Sequence, residues 1–222
     1  MHWFYYVGRF LTVVLSFLLT RREVKGKENI PAQGPLLIAA NHLNLADPPI
    51  IGVSIKRKAM FLAKEELFHS RFSGYIMRNF GAFPVRRGGM NREALRKARQ
   101  LLAQDMAIIM FPEGRRSRNA QLESAFSGVA LIASHNSTPI LPVGVSGTEK
   151  IKGMSWFLRR PKITVNIGSP FYLPPVNGKL NRAQLTEFTH SIMEHIAELL
   201  PAEYRGNYTS RKSNSNESRK SG

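Results

Sequence analysis

The sequence predicts an α/β fold: one domain with a mainly parallel or mixed sheet flanked by helices, preceded by an apolar helix that associates with membranes. Three observations lead there. Short apolar runs, LLIAA (Leu36 to Ala40) and AIIMF (Ala107 to Phe111), have the length of buried strands. Between such runs lie amphipathic stretches with apolar residues at helical spacing. The two kinds alternate along the chain, which is the pattern of parallel sheets. With 222 residues and 43% hydrophobic content, the chain suffices for one sizeable core.

The first element is WFYYVGRFLTVVLSFLL, Trp3 to Leu19, followed by Arg21 and Arg22. As a helix it is about 26 Å long at ~1.5 Å per residue, against a hydrocarbon core of ~30 Å. Aromatic residues crowd its first half and favour a membrane interface, and the arginines favour the cytoplasmic face. No positive residue precedes the apolar run, and RREVKGK stands where a signal peptide would carry small residues. Residues 1–22 are therefore expected to be a membrane-associating segment, in-plane or a short span. The competing expectation is a helix packed on the domain.

Residues 23–35 read as a polar link rich in turn formers. LLIAA is the first buried strand. It runs into Asn41 and His42, and Pro48 and Pro49 suit the first turn of a following helix. AMFLA (Ala59 to Ala63) and GAFPV (Gly81 to Val85) are further strands. Asn91 to Met106 places Leu95, Ala98 and Leu102 on one helical face. AIIMF is a strand, Ala125 to Ser134 a helix, and PILPVGV (Pro139 to Val145) and KITVNIG (Lys162 to Gly168) are strands. Leu185, Phe188, Ile192, Ile196 and Leu199 line a final helix, with Asn181 and Gln184 as its capping pair. The domain is taken as 23–204. The basic, Ser- and Asn-rich residues 205–222 read as a disordered tail.

Lys and Arg outnumber Asp and Glu by 32 to 15, a net charge of +17. That surplus favours anionic partners: acidic lipid headgroups, phosphate esters, acidic proteins or nucleic acid. Residues 56–99 alone hold twelve Lys and Arg against three Glu. Such a stretch suits an anionic phospholipid surface. No nucleic-acid recognition motif accompanies the charge, so nucleic acid is not expected as a partner. The chain has no cysteine, which removes disulfides and a thiol nucleophile. No metal-site spacing, GxSxG elbow, P-loop or GxGxxG is present, so neither a metal nor a nucleotide cofactor is expected.

Three strand ends carry the candidate chemistry. At the first, His42 and Asp47 flank an apolar turn, NHLNLADPP. A carboxylate beside an imidazole fixes its tautomer and stabilises its charged form. Read alone, such a histidine serves structure as readily as catalysis. At the second, FPEGRRSR places Glu113 and Gly114 before three arginines, Arg115, Arg116 and Arg118. At the third, GAFPVRRGG places Arg86 and Arg87 before glycines. Arginine grips phosphate with paired donors, and glycine admits a ligand close to the backbone. Without an internal nucleophile, a base here would act on a substrate alcohol directly.

In these residues the chain resembles the glycerolipid acyltransferases, the lysophosphatidic acid and glycerol-3-phosphate acyltransferases. NHLNLAD is similar to their NHxxxxD motif, GAFPVRR to the second motif, FPEGRRSR to the third and ILPVGV to the fourth. The four occur in the family's order. The resemblance implies transfer of a fatty acyl group from acyl-CoA or acyl carrier protein to a glycerophosphate hydroxyl, with 1-acylglycerol-3-phosphate as acceptor and phosphatidic acid as product. It implies His42 as general base and Asp47 as its orienting acid. It implies Arg87, Glu113, Gly114 and Arg116 as the acceptor site, and Pro142 as part of the apolar site near the acyl chain. It also implies no metal and no covalent enzyme intermediate. Arg115 stands where the third motif often has Thr, Phe126 where a Lys is common, and Asn44 where Ser is frequent. These departures bear on the acceptor, for which glycerol-3-phosphate or another lysophospholipid is the alternative. A non-catalytic basic module on a membrane is the alternative from another class.

Overall fold

The computed structural model describes residues 3–55, 57–85, 92–135, 138–153, 155–176, 178 and 180–208. Among these residues seven α-helices and seven strands follow in chain order, with short 3-10 turns between some of them. The first half comprises α1 (Trp3–Leu19), β1 (Arg21–Lys25), β2 (Leu36–Ala40), α2 (Asp47–Ser54), β3 (Ala59–Lys64), α3 (Arg71–Asn79) and β4 (Ala82–Val85). The second comprises α4 (Arg92–Leu102), β5 (Ala107–Met110), α5 (Gly128–His135), β6 (Ile140–Ser146), α6 (Trp156–Arg159), β7 (Lys162–Ile167) and α7 (Arg182–Glu198).

The strands form one mixed sheet in the order β1-β7-β6-β2-β5-β3-β4. From β6 to β4 all neighbours are parallel. β7 runs antiparallel to β6, and β1 pairs parallel with β7. Because β2, β3, β4, β5 and β6 point the same way, the loops that follow them leave at one edge. That edge is where ligands bind in α/β sheets.

Successive strand residues face opposite sides. Leu36 and Ile38 therefore pack with Ile50, Ile51 and Ile55 on the α2 side. Leu37 and Ala39 pack with Leu102, Ile132, Ile192 and Ile196 on the α4, α5 and α7 side. The capping box of α7 is present: the Asn181 side chain accepts from the Gln184 amide, and Gln184 answers to the Asn181 amide.

Several expectations change. The stretch 23–35 is not wholly a link, because RREVK forms edge strand β1. Tail residues 205–208 fold back onto the domain: Tyr208 packs against the core, and the Arg205 side chain donates to the Leu200 carbonyl at 2.9 Å. The rest of the expected tail lies outside the described residues. Among the described residues no helix is long and apolar enough to cross a membrane.

α1 lies on the domain with its polar side inward. Gly8 and Ser16 are buried, and Arg9 and Thr12 are half-buried. Tyr6, Phe10, Leu11, Leu15, Phe17 and Leu18 are each more than half exposed. Gly8 is needed where α1 meets the Phe80 ring, which a Cβ would strike. Arg9 donates to the Gly52 carbonyl at 2.6 Å and the Ile55 carbonyl at 2.9 Å. These carbonyls belong to the last turn and end of α2, where a cation completes orphan acceptors and opposes the helix dipole.

Candidate active site

The site begins where β2 stops. Asn41 fastens this point to β6 by a reciprocal pair: its Nδ2 donates to the Val145 carbonyl at 2.8 Å, and the Val145 amide donates to its Oδ1 at 2.7 Å. His42 follows, and five residues later α2 starts at Asp47 with two prolines in its first turn. The intervening turn wraps the carboxylate. Asp47 Oδ2 accepts from the amides of Leu43 at 2.6 Å and Asn44 at 2.7 Å, and lies 2.8 Å from His42 Nδ1. Asp47 is fully buried, while the His42 side chain retains 10% exposure. Nδ1 thus faces the acid as donor. Nε2, which has no partner among the described residues, is left as the basic nitrogen. The imidazole stacks on Phe111, the residue that ends the β5 run, with centroids 4.1 Å apart.

Asn44, the departure from the usual serine, contributes through its side chain. Its Oδ1 accepts from the Ala46 amide and its Nδ2 donates to the Ile151 carbonyl. That shapes the turn and ties it to the loop after β6.

The FPEGRRSR loop grips the peptide of His42 from both sides. The His42 amide donates to Glu113 Oε1 at 3.0 Å, and the Ser117 amide donates to the His42 carbonyl at 2.8 Å. Glu113 Oε2 accepts from the Glu123 amide at 3.0 Å. Glu113 is only 1% exposed, and both of its oxygens are occupied. It lies beneath the loop and holds the backbone of the base. Burial pushes its carboxyl up to about 7, against the opposing pull of the two amides.

Gly114 turns the chain with φ of 65°, and a Cβ there would press on the Phe126 ring at 2.9 Å. Arg115 is drawn to Glu123 at 2.6 Å. Arg116 is exposed at the rim, one residue before the Ser117 contact to His42, and among the described residues no carboxylate pairs with it. Arg87 lies outside the described residues. Strand β4, which leads to it, is three strands from β2, about 14 Å at ~4.8 Å per strand.

Pro142 is buried inside β6, where its ring meets Gly168 close to Leu199. A proline within a central strand costs a ladder bond. Here the missing donor faces β7, whose pairing with β6 begins only at Val143, so the ladder is unharmed.

One participant has no counterpart among the expected residues. The Thr148 hydroxyl donates to Asp47 Oδ1 at 2.6 Å, and Thr148 is fully buried. Its only sequence signal is a position just past the strand end of ILPVGVS.

A family model described as Acyltransferase matches residues 21–146, more than half of the chain. The chain belongs to the acyltransferase family. It is 31% identical over 200 residues to a 1-acyl-sn-glycerol-3-phosphate acyltransferase of Streptococcus pneumoniae, covering 88% of this chain and 73% of the relative. It is 26% identical to the enzyme of the same name from Bacillus subtilis, covering 86% and 96%. Among solved structures, the 1-acyl-sn-glycerophosphate (LPA) acyltransferase PlsC of Thermotoga maritima superposes with a TM-score of 0.66 at 26% identity, covering 85% of this chain and 76% of that one. The acyltransferase match spans β1 to β6 and so contains His42, Asp47, Glu113 and Arg116, but ends before Thr148.

Proposed function

We propose that this acyltransferase moves a fatty acyl group from acyl-CoA or acyl carrier protein to the free hydroxyl of 1-acylglycerol-3-phosphate. The product is phosphatidic acid, a phospholipid precursor. The observation that carries the mechanism is the 2.8 Å contact between His42 Nδ1 and Asp47 Oδ2, which leaves Nε2 as the base at the sheet edge.

The reaction needs one proton acceptor. Nε2 takes the proton of the acceptor hydroxyl as its oxygen attacks the thioester carbonyl carbon. Asp47 stabilises the imidazolium that forms. The tetrahedral intermediate collapses with cleavage of the C–S bond, and the imidazolium returns its proton to the departing thiolate. Arg116, with Arg87, receives the acceptor's phosphate through paired N–H donors.

The acceptor is an amphiphile, and α1 offers a matching surface. Its outward aromatic and aliphatic face cannot be a core face, because the core side carries Gly8, Arg9, Thr12 and Ser16. An in-plane helix buries such a face in the headgroup boundary, and the basic surface adds attraction to anionic lipid. The protein therefore works at the cytoplasmic surface of an anionic membrane.

The test is mass spectrometry of products from 1-acylglycerol-3-phosphate, glycerol-3-phosphate and lysophosphatidylcholine, each with acyl-CoA or acyl carrier protein. Phosphatidic acid formed from the first acceptor is the expected result. Equal turnover of lysophosphatidylcholine, which offers no free phosphate monoester, would overturn the acceptor assignment. Flotation with phosphatidylglycerol vesicles but not with neutral vesicles tests the membrane reading.

A further inference from the structure

A carboxylate has two oxygens, and only one of Asp47's serves the imidazole. Oδ2 meets His42 and the two amides of the turn. Oδ1 accepts from the hydroxyl of Thr148, 101 residues further along the chain. We propose that Thr148 is a positioning residue for acyl transfer, fixing the rotation of the Asp47 carboxylate so that Oδ2 stays on His42 Nδ1. The inference rests on the His42–Asp47 mechanism proposed above.

The physical need is specific. The terminal torsion of an aspartate is broad, so packing alone sets a carboxylate's rotation poorly. Three donors converge on Oδ2, and the Thr148 hydroxyl holds the other oxygen, so both ends of the carboxylate are tethered. Both residues are fully buried, so Oδ1 has no bulk water to replace a lost donor. Threonine adds a further restraint, because a β-branched side chain has few χ1 choices and its hydroxyl cannot swing freely.

The loop after β6 is built to present this hydroxyl. Gly147 turns the chain with φ of 90°, and a Cβ there would collide with the Lys162 carbonyl of β7. Thr148–Lys150 then forms a single 3-10 turn. Glu149 accepts from the Tyr204 hydroxyl at 2.8 Å, which fixes the outer side of the turn to the C-terminal segment. The Ile151 carbonyl accepts from Asn44, which returns the chain to the His42 turn. β6 is the direct neighbour of β2, so the two loops are adjacent by topology. Thr148 lies beyond the family match, which stops at Ser146, whereas Asp47 lies within it.

The experiment compares Thr148→Val, Thr148→Ala and Thr148→Ser with the wild-type chain, using 1-acylglycerol-3-phosphate and acyl-CoA. Removing the hydroxyl should lower kcat about 10- to 100-fold, the size of a small misplacement of a reacting group, with both KM values little changed. Thr148→Ser should return kcat toward wild type. In histidine-labelled protein the Nδ1–H proton of His42 should show a downfield resonance that weakens in the Val and Ala variants and persists in the Ser variant. The proposal is overturned by an unchanged kcat in Thr148→Val, by a serine variant as slow as the valine one, or by an unaltered Nδ1–H signal. Should the valine variant not fold, the alanine variant supplies the same comparison. If the wild-type chain transfers no acyl group, the mechanism above fails, while the resonance still decides whether Thr148 orients the acid.

Discussion

The amide of His42 donates to Glu113 Oε1 at 3.0 Å, so the peptide that carries the base rests on an acid 71 residues away. The same glutamate holds the Glu123 amide with its other oxygen. The third motif thus shapes the first through the backbone, and each side chain of the site has a separable part to test.

His42→Ala should lower acyl transfer by about 10²- to 10⁴-fold, the usual contribution of a positioned general base. Thiol release in the presence of acceptor is the measurement. The far-ultraviolet circular dichroism should be unchanged, because among the described residues the ring's polar contact is to Asp47 alone and its stacking partner Phe111 stays in place.

Arg116→Ala should raise KM for 1-acylglycerol-3-phosphate and leave KM for the thioester near its wild-type value. Losing one charge-assisted phosphate contact costs about 1.5–3 kcal/mol, roughly 10- to 100-fold in acceptor affinity. Steady-state kinetics with each substrate varied in turn decides it. An equal rise in both constants would remove Arg116 from the phosphate site.

Glu113 should leave a signature in stability against pH. Its carboxyl lies at about 7 in the fold, chiefly through burial, against an ordinary value of 4.5. A raised value means the folded state binds the proton more tightly than the unfolded chain. The stabilisation is complete below the unfolded value and is lost as pH rises through the folded one. Wild type should therefore lose about 3 kcal/mol relative to Glu113→Gln between about pH 4 and about pH 8. Urea unfolding of the two proteins across that range measures the difference. Parallel curves would show that Glu113 does not titrate there.

Arg9→Leu should destabilise the domain by about 1.5–3 kcal/mol, because the last carbonyls of α2 lose a charged donor in a part-buried place. Thermal unfolding provides the test. Since α2 begins with Asp47, the variant should also lose some turnover at temperatures well below its midpoint.

The parts of the fold that pattern could reveal are those with a period. LLIAA and AIIMF give buried strands, KITVNIG gives a strand that buries Ile163, Val165 and Ile167, and the Asn181 capping pair opens α7 as its spacing requires. RREVK could not be seen as a strand, because an edge strand whose side chains stand half in solvent keeps its charges and lacks an apolar run. His42 and Asp47 were legible because a strand-to-helix turn brings positions five apart together. Thr148 was not, since only the pairing of β6 with β2 brings it to Asp47. Glu113 illustrates a different limit. A glutamate beside arginines looks the same in sequence whether it faces a ligand or two peptide amides beneath the loop.

The placement of β1 has a practical consequence. Its five residues pair with β7 from Arg21↔Lys162 to Lys25↔Asn166, immediately after the helix that presents an apolar outer face. A shortened chain that keeps the sheet whole should therefore be cut between Leu19 and Arg21, with loss of the Arg9 contacts to α2. Cutting even a few residues later would bare the backbone donors and acceptors that β7 turns to β1 between Lys162 and Asn166, and trade an exposed greasy helix for a sticky open ribbon.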